Sequence, residues 1–466
     1  MQLYDHQKRQ ISELRKSLTK NKRVLLQAPT GCGKSVMSAS MIAGSQAKGK
    51  RSLFCVPRRE LMKQMSNTFT KFDIDHSFVS SGKVFNPYAK THIATLGTLV
   101  RRLESVKPDV VFVDETHYSI SQVEKVIAHY TEKGAYSIGL TATPIHGSGK
   151  GLGRFYDDMV LGVSTAYLIE HGFLSDYRAF AATKPSGLDK ISVRGGEYAQ
   201  GELAELMESD GYVIGNAVNE YCKHARGMAT VVFCVSRKHA QRVQESFLQR
   251  GISAGYIDGT HTDSQRGEII RRFASRQDEV LISVNLLQYG FDLASASGMD
   301  ITIEAMIDLQ PTKSLAMQLQ KWGRVLRRKS TPAVILDNAG NLAEHGYPDD
   351  AREWTLADRK KRAKSAAEER EAAQTVVCKG CKSQYKIELP ACPHCGKERE
   401  AVRDVEELDG ELKELDREAI KRQRAREQRQ AQTLEQLIEL GKQRGMKHPE
   451  KWAAYVFTAR AKKGRV

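Results

Sequence analysis

The sequence predicts an α/β protein of two tandem parallel-sheet lobes, followed by a small four-cysteine module and a helical, basic tail. Three observations carry this expectation. Short apolar runs such as Val110-Val111-Phe112-Val113 and Ala333-Val334-Ile335-Leu336 alternate with helical stretches, the pattern of strands covered on both faces of a parallel sheet. Most runs end in polar or glycine-bearing turns, where open α/β sheets place their ligands. The alternation stops in an Ala-, Glu-, Lys- and Arg-rich stretch from Asp350, ahead of cysteines at 378, 381, 392 and 395. The expected boundaries are 1–175 for the first lobe, 176–345 for the second, 346–375 for a helical linker, 376–398 for the cysteine module and 399–466 for the tail.

Bulk properties narrow the class. The 466 residues, 40% hydrophobic and 27% charged, suffice for several full-sized cores. No apolar run reaches the ~18 residues of a membrane span, and Met1–His6 lacks the build of a signal peptide. The expected location is therefore the cytoplasm of a bacterial or phage-infected cell, with no membrane partner. The formal charge of +16 points to a polyanionic partner.

In chain order, Ile11, Leu14 and Leu18 mark a first helix, and Val24-Leu25-Leu26 a strand. Between that strand and the helical stretch Val36–Ala43 stands Ala28-Pro29-Thr30-Gly31-Cys32-Gly33-Lys34-Ser35. Strand, small-residue loop with Gly-Lys-Ser, then helix is the context of a phosphate-binding loop. Glycines admit phosphates to backbone N–H groups, and the helix N-terminus adds its dipole. Thr30 to Ser35 would cradle ATP, with Lys34 reaching the β- and γ-phosphates and Ser35 holding Mg²⁺. Further strands end at Pro57, Thr95, Asp114 and Thr141. Asp114 after four apolar residues suits a Mg²⁺ carboxylate, and Glu115 is placed to polarise an attacking water. The run His146–Gly153 lacks a Gly-Lys-Ser and is read as a mobile loop. Tyr167–Leu174 reads as the helix closing the first lobe, and 182–210 as a crossing or insertion. Strands then recur at Thr230–Val235, at Ile257, at Glu279–Ser283, at Met306–Leu309 and at Ala333–Asp337. Near the end of the second lobe stands Gln320-Lys321-Trp322-Gly323-Arg324-Val325-Leu326-Arg327, whose arginines are expected on one helical face at i, i+3.

The order Gln7, Ala28–Ser35, Val56–Leu61, Thr95, Asp114-Glu115-Thr116-His117, Thr141-Ala142-Thr143 and Gln320–Arg327 resembles that of superfamily-2 DEAD/DEAH-box helicases. Within them the chain looks like phage or bacterial types related to restriction-enzyme translocase subunits. The resemblance covers about residues 1–340. It implies two RecA-like lobes with ATP between them, adenine read by Gln7, and nucleic acid met by Pro57, Arg58, Thr95, Ser236 and Gly259. It further implies coupling through His117, Thr141 and Thr143, nucleotide contacts at Gly290 and Asp292, and catalytic roles for Gln320, Arg324 and Arg327. Guanidinium groups arriving from a second lobe would make hydrolysis depend on closure.

The two Cys-x-x-Cys pairs, Cys378/Cys381 and Cys392/Cys395, have the spacing of a tetrahedral Zn²⁺ ribbon. In the tail, Leu434, Leu437 and Ile438 mark an amphipathic helix, and Pro449 opens another carrying Trp452, Tyr455 and Val456. The expected activity is an ATP-dependent DNA helicase or translocase acting in recombination, repair or replication. DNA is favoured over RNA, and protein partners are expected at the ribbon or tail. The alternatives are an RNA helicase or remodeller and an ATP-driven switch that binds nucleic acid without unwinding it.

Overall fold

The computed structural model describes residues 2–146, 149–181, 187–208, 214–286, 293 and 298–358, and the segments 375–377, 384–386, 413–414, 427, 431, 433–443 and 449–461. The chain forms two compact units, one built from residues 1–178 and 182–412, the other from 179–181 and 413–466.

The first unit contains both predicted lobes. Lobe 1 opens with helix α1 (Asp5–Leu18), then β1 (Arg23–Gln27), α2 (Lys34–Ala47), β2 (Ser52–Val56), α3 (Arg59–Lys71), β3 (Ser77–Val79) and β4 (Thr91–Thr95). It continues through α4 (Leu96–Leu99), β5 (Val110–Asp114), α5 (Ile120–Glu132), β6 (Tyr136–Thr141), β7 (Asp158–Leu161) and α6 (Thr165–Glu170). The sheet order β3-β4-β2-β5-β6-β1-β7 is parallel throughout. Its central strands are apolar at successive positions because helices cover both faces. On one face Val123, Val126, Ile127 and Tyr130 of α5 lie fully buried with Leu53, Val111 and Val113. Each aliphatic side chain so buried contributes about 1.5–3 kcal/mol.

The chain then passes through β8 (Tyr177–Ala181), the hairpin β9 (Val193–Arg194) and β10 (Glu197–Tyr198), and α7 (Gln200–Glu208). The stretch expected to be a crossing or insertion is thus, in its described part, a hairpin and helix with its own small core of Leu188, Ile191, Tyr198, Leu203 and Met207 against Val235. Lobe 2 follows: α8 (Ile214–His224), β11 (Thr230–Cys234), α9 (Arg237–Gln249), β12 (Ala254–Ile257), α10 (Asp263–Ala274), β13 (Val280–Val284), β14 (Ala305–Asp308), α11 (Leu315–Val325), β15 (Ala333–Asp337) and α12 (Asn341–His345). Its strands β12-β13-β11-β14-β15 lie side by side and parallel. Two tandem parallel α/β lobes are the fold read from the sequence.

Three local expectations change. Residues 350–358 are not the start of a helix but an extended strap that returns to lobe 1. Leu356 packs against the lobe 1 core, and its carbonyl accepts from Gly153 N–H at 2.9 Å. Tertiary burial of that leucine overrides a helix-favouring composition. The same contact makes buried Gly151 and Leu152, with Gly153 beside them, a seat for the strap rather than a mobile loop. The helix expected over Tyr167–Leu174 runs only from Thr165 to Glu170, capped by Ser164, whose hydroxyl accepts from Tyr167 N–H.

Thr375–Val377 pairs antiparallel with Gln384–Lys386. The second unit contains helices α13 (Leu434–Gln443) and α14 (Pro449–Ala461), joined around buried Leu437, Ala453 and Val456. No helix among the described residues is long and apolar enough to cross a membrane.

Candidate active site

The site is built where strand ends of lobe 1 meet a helix of lobe 2. After β1 the chain turns at Ala28, whose N–H donates to the Thr141 carbonyl at 2.9 Å. Gly33 ends the loop with φ +88°, the left-handed backbone that favours glycine, and a Cβ there would meet Gln7 Nε2 at 2.4 Å. Gln7 itself is pinned: Nε2 donates to the Cys32 carbonyl at 3.0 Å, and Oε1 accepts from Tyr4 N–H at 3.0 Å. The glutamine therefore shapes the phosphate loop directly. Lys34 begins α2, and its Nζ donates to the Ala28 carbonyl at 3.1 Å.

Asp114 is the last residue of β5 and faces the same loop. Glu115 follows with φ +45°, unusual for a long side chain. Its N–H donates to Asp114 Oδ1 at 3.0 Å. Burial pushes both carboxyl groups upward in pKa; at Asp114 the neighbouring Glu115 charge adds to this, and Lys34 opposes it at both. Glu115 Oε2 is buried without a hydrogen-bond partner. Two crowded acids beside a lysine, one with an orphaned oxygen, suit a divalent cation and a bound water. Among the described residues no group of three or more His, Cys, Asp or Glu forms a metal cage. A cation here would thus be held by Ser35 and Asp114 together with substrate phosphates, as Mg²⁺ commonly is.

His117 is buried, with Nδ1 3.4 Å from Glu115 Oε2 and 2.8 Å from Thr141 Oγ1. Burial first, and Lys34 second, lower its pKa to about 3, so the contact with Glu115 involves a neutral imidazole. Thr141 Oγ1 gives its proton to the Thr143 carbonyl at 3.0 Å and accepts from Thr143 N–H at 2.9 Å. That assigns the proton of the His117 contact to Nδ1. An unbroken chain of polar contacts therefore links Glu115, His117, Thr141 and Thr143.

Lobe 2 completes the site through α11. Ser314 caps the helix, its hydroxyl accepting from Met317 N–H. Gln320 and Arg324, four residues apart, are both buried. A cavity of about 230 Å³ is lined by Thr30, Gly31, Gly33, Lys34, Ser35, Asp114 and Glu115 from lobe 1 and by Gln320, Gly323, Arg324 and Arg327 from lobe 2. The lobes touch at its rim. A Cβ on Gly323 would sit 2.3 Å from Thr30 Cγ2, so only glycine admits this approach. Arg327 departs from expectation, because α11 ends at Val325 and Arg327 lies past it in an antiparallel bridge to Leu174. The two arginines reach one cavity from a helix and from the chain after it, not from one helical face. Leu61 and Gln64 of α3 also line the cavity; Leu61 closes the motif Val56–Leu61 without a site role read from it, and Gln64 lies outside every motif.

The remaining candidates fall at strand ends away from this cavity. Pro57 and exposed Arg58 follow β2, and Thr95 closes β4 with Oγ1 donating to Thr98 Oγ1 at 3.1 Å. Ser236 follows β11 and caps α9 by accepting from His239 N–H at 3.1 Å. Gly259 is exposed beyond β12. Gly290, Asp292 and the four clustered cysteines Cys378, Cys381, Cys392 and Cys395 lie outside the described residues.

Comparison with known proteins gives two family matches in chain order: "Type III restriction enzyme, res subunit" over residues 1–146 and "Helicase conserved C-terminal domain" over 214–329. The chain is a superfamily-2 helicase. The helicase is 27% identical to a 51.5 kDa protein of a Lactococcus phage, over 85% of this chain and 83% of that one. It is 24% identical to Irc3 of Saccharomyces cerevisiae, described as an ATP-dependent helicase, over 66% of this chain but only 46% of that protein. Among solved structures, the Type ISP restriction-modification enzyme LlaBIII bound to DNA shares the fold, with a TM-score of 0.54 and 15% identity; the match covers 72% of the helicase and 28% of that enzyme. The helicase is thus of the phage and restriction-enzyme type, an ATP-hydrolysing enzyme that acts on nucleic acid.

Proposed function

We propose that the helicase couples ATP hydrolysis to movement along DNA, unwinding or branch-migrating it in recombination, repair or replication. The observation that supports this best is the shared cavity, where the phosphate loop and acidic pair of one lobe meet two arginines of the other. In this reading Lys34 and the loop from Thr30 to Ser35 hold the phosphates, and Asp114 and Ser35 hold Mg²⁺, which would neutralise the transferring phosphoryl charge. Glu115 orients the water. Arg324 and Arg327 stabilise the transition state once the lobes close, and Gln320 lines up the γ-phosphate. His117, Thr141 and Thr143 relay the change to the strand ends carrying Pro57, Arg58, Thr95, Ser236 and Gly259, which meet the nucleic-acid backbone. Gly290 and Asp292 complete the nucleotide contacts.

The preference for DNA rests on the Asp-Glu-Thr-His variant and the basic charge. For the tail we propose a Zn²⁺ ribbon on Cys378, Cys381, Cys392 and Cys395, supported by their spacing and by the paired strands 375–377 and 384–386. The ribbon and tail would serve nucleic acid or protein partners.

ATPase assays with single-stranded, duplex and forked DNA and with RNA test the reading. Forked or duplex DNA is expected to stimulate most. Selective stimulation by RNA would replace DNA as the substrate, and no stimulation by any nucleic acid would remove the coupled-motor reading. Lys34→Ala is expected to abolish turnover while sparing nucleic-acid binding. Arg324→Ala is expected to lower kcat far more than it raises KM for ATP.

A further inference from the structure

We propose that Lys321 is a positioning residue, setting the rotation of α11 and thereby the placement of Arg324; this rests on the reading of Arg324 given above. Lys321 has no exposed surface, although it sits between Gln320 and Trp322 in a helix that reaches the cleft. Its Nζ donates to Asp308 Oδ1 at 2.8 Å and to the Gln310 carbonyl at 3.1 Å. Asp308, equally buried at the end of β14, also accepts from Gln318 Nε2 and Asn341 Nδ2, each at 2.9 Å. Asn341 Nδ2 donates as well to the Gln310 carbonyl at 2.9 Å, and its Oδ1 accepts from Thr312 N–H at 3.1 Å. One carboxylate thus ties together the end of β14, two successive turns of α11 and the start of α12.

A buried ion pair of this kind is poor value as stabilisation, since an apolar pair of similar volume commonly serves as well or better. Its distinctive property is direction. Hydrogen bonds from Gln318 and Lys321, three residues apart on α11, fix both the height and the rotation of the helix against the sheet. Side-chain ends lie about 5–6 Å from a helix axis, so a rotation of about 10° would move the Arg324 head by about 1 Å. Misplacement on that scale can cost about a hundredfold in rate. Gly323, in contact range of Thr30, leaves no side chain at that position to hold the helix from the cleft side. The restraint comes from beneath.

The test is steady-state ATPase kinetics on the full chain with saturating DNA. Lys321→Met is expected to lower kcat about tenfold or more, with KM for ATP within about twofold. Combined with Arg324→Ala, it is expected to add little to the loss caused by Arg324→Ala alone, because it acts through that arginine. Wild-type kcat in Lys321→Met, or full additivity with Arg324→Ala, overturns the proposal. Should Lys321→Met fail to fold, the paired Asp308→Asn, Lys321→Met variant removes both charges while keeping an amide oxygen to accept from Gln318 and Asn341. Its kcat is expected to stay low although its thermal midpoint recovers, and recovery of both overturns the proposal. Gln318→Met, which removes only one bond to Asp308, offers the same readout in milder form if neither folds. Wild-type kcat in Arg324→Ala would instead bring down the reading of the site, whatever Lys321 does.

Discussion

Glu115 holds its backbone at φ +45° while keeping a buried oxygen without a hydrogen-bond partner. Left-handed backbone at a non-glycine residue costs about 1–3 kcal/mol, and a buried carboxylate oxygen without a hydrogen bond adds to it. Asparagine tolerates this conformation better. Glu115→Asn is therefore expected to raise stability by about 1 kcal/mol and to abolish ATP turnover, read by urea denaturation and ATPase assay on one preparation. His239 presents a different residue-scale cost. It is buried at the start of α9, and its pKa falls to about 4 because burial disfavours the imidazolium. Below the unfolded value of 6.5 the unfolded chain takes up a proton that the folded protein refuses until about pH 4. Stability is therefore lost as pH falls through this interval, by up to about 3 kcal/mol. His239→Leu should flatten that part of the pH–stability curve; an unchanged slope would refute the assignment.

At the scale of elements, α11 is the one on which most depends. Its N-terminus is held by Glu197 from β10, whose Oε1 accepts from Lys313 N–H at 2.8 Å and whose Oε2 accepts from Ser314 N–H at 3.2 Å and from the Thr312 hydroxyl. Glu197→Ala is expected to cost about 1–2 kcal/mol, as a lost cap does, and to lower kcat with KM for ATP preserved. Unchanged stability would show that the ordinary cap at Ser314 is sufficient. Glu197 could not be read from the sequence, because its partners lie about 115 residues away and no local pattern joins them. Lys321 was illegible for the opposite reason, since a lysine between motif residues reads as a solvated side chain. The phosphate loop, Asp114-Glu115 and the individual strands are legible because each depends on neighbours in sequence. For Arg327 the i, i+3 spacing misleads, since it puts two side chains on one face only where the helix continues, and α11 stops at Val325.

For the whole molecule, the strap after lobe 2 matters most. Arg352 donates to the carbonyls of His345, Tyr347 and Asp350 at 2.9–3.2 Å, giving the strap a fixed shape before Leu356 enters the core of lobe 1. Leu356→Ala is expected to destabilise by about 1–2 kcal/mol for a partly buried leucine and to raise DNA-independent ATPase relative to the stimulated rate. Fluorophores on the two lobes should report a broader distance distribution in that variant; an unaltered distribution would show that the strap restrains nothing. At this scale too, the net charge of +16 predicts that nucleic-acid binding weakens steeply with salt, in wild type and in Lys34→Ala alike.

The strap has a kinematic consequence. Among the described residues the chain passes from lobe 1 to lobe 2 before β8, where Ser175 N–H donates to the Leu326 carbonyl, and returns through Leu356. Two bodies joined by a single thread can swivel freely; joined at two separated points, they keep one easy rotation, about the line through both. On the proposed reading, this pair of attachments would act as a door hinge: any swing of the arginines toward the phosphate loop is expected to follow one arc, and distance measurements between the labelled lobes would check it.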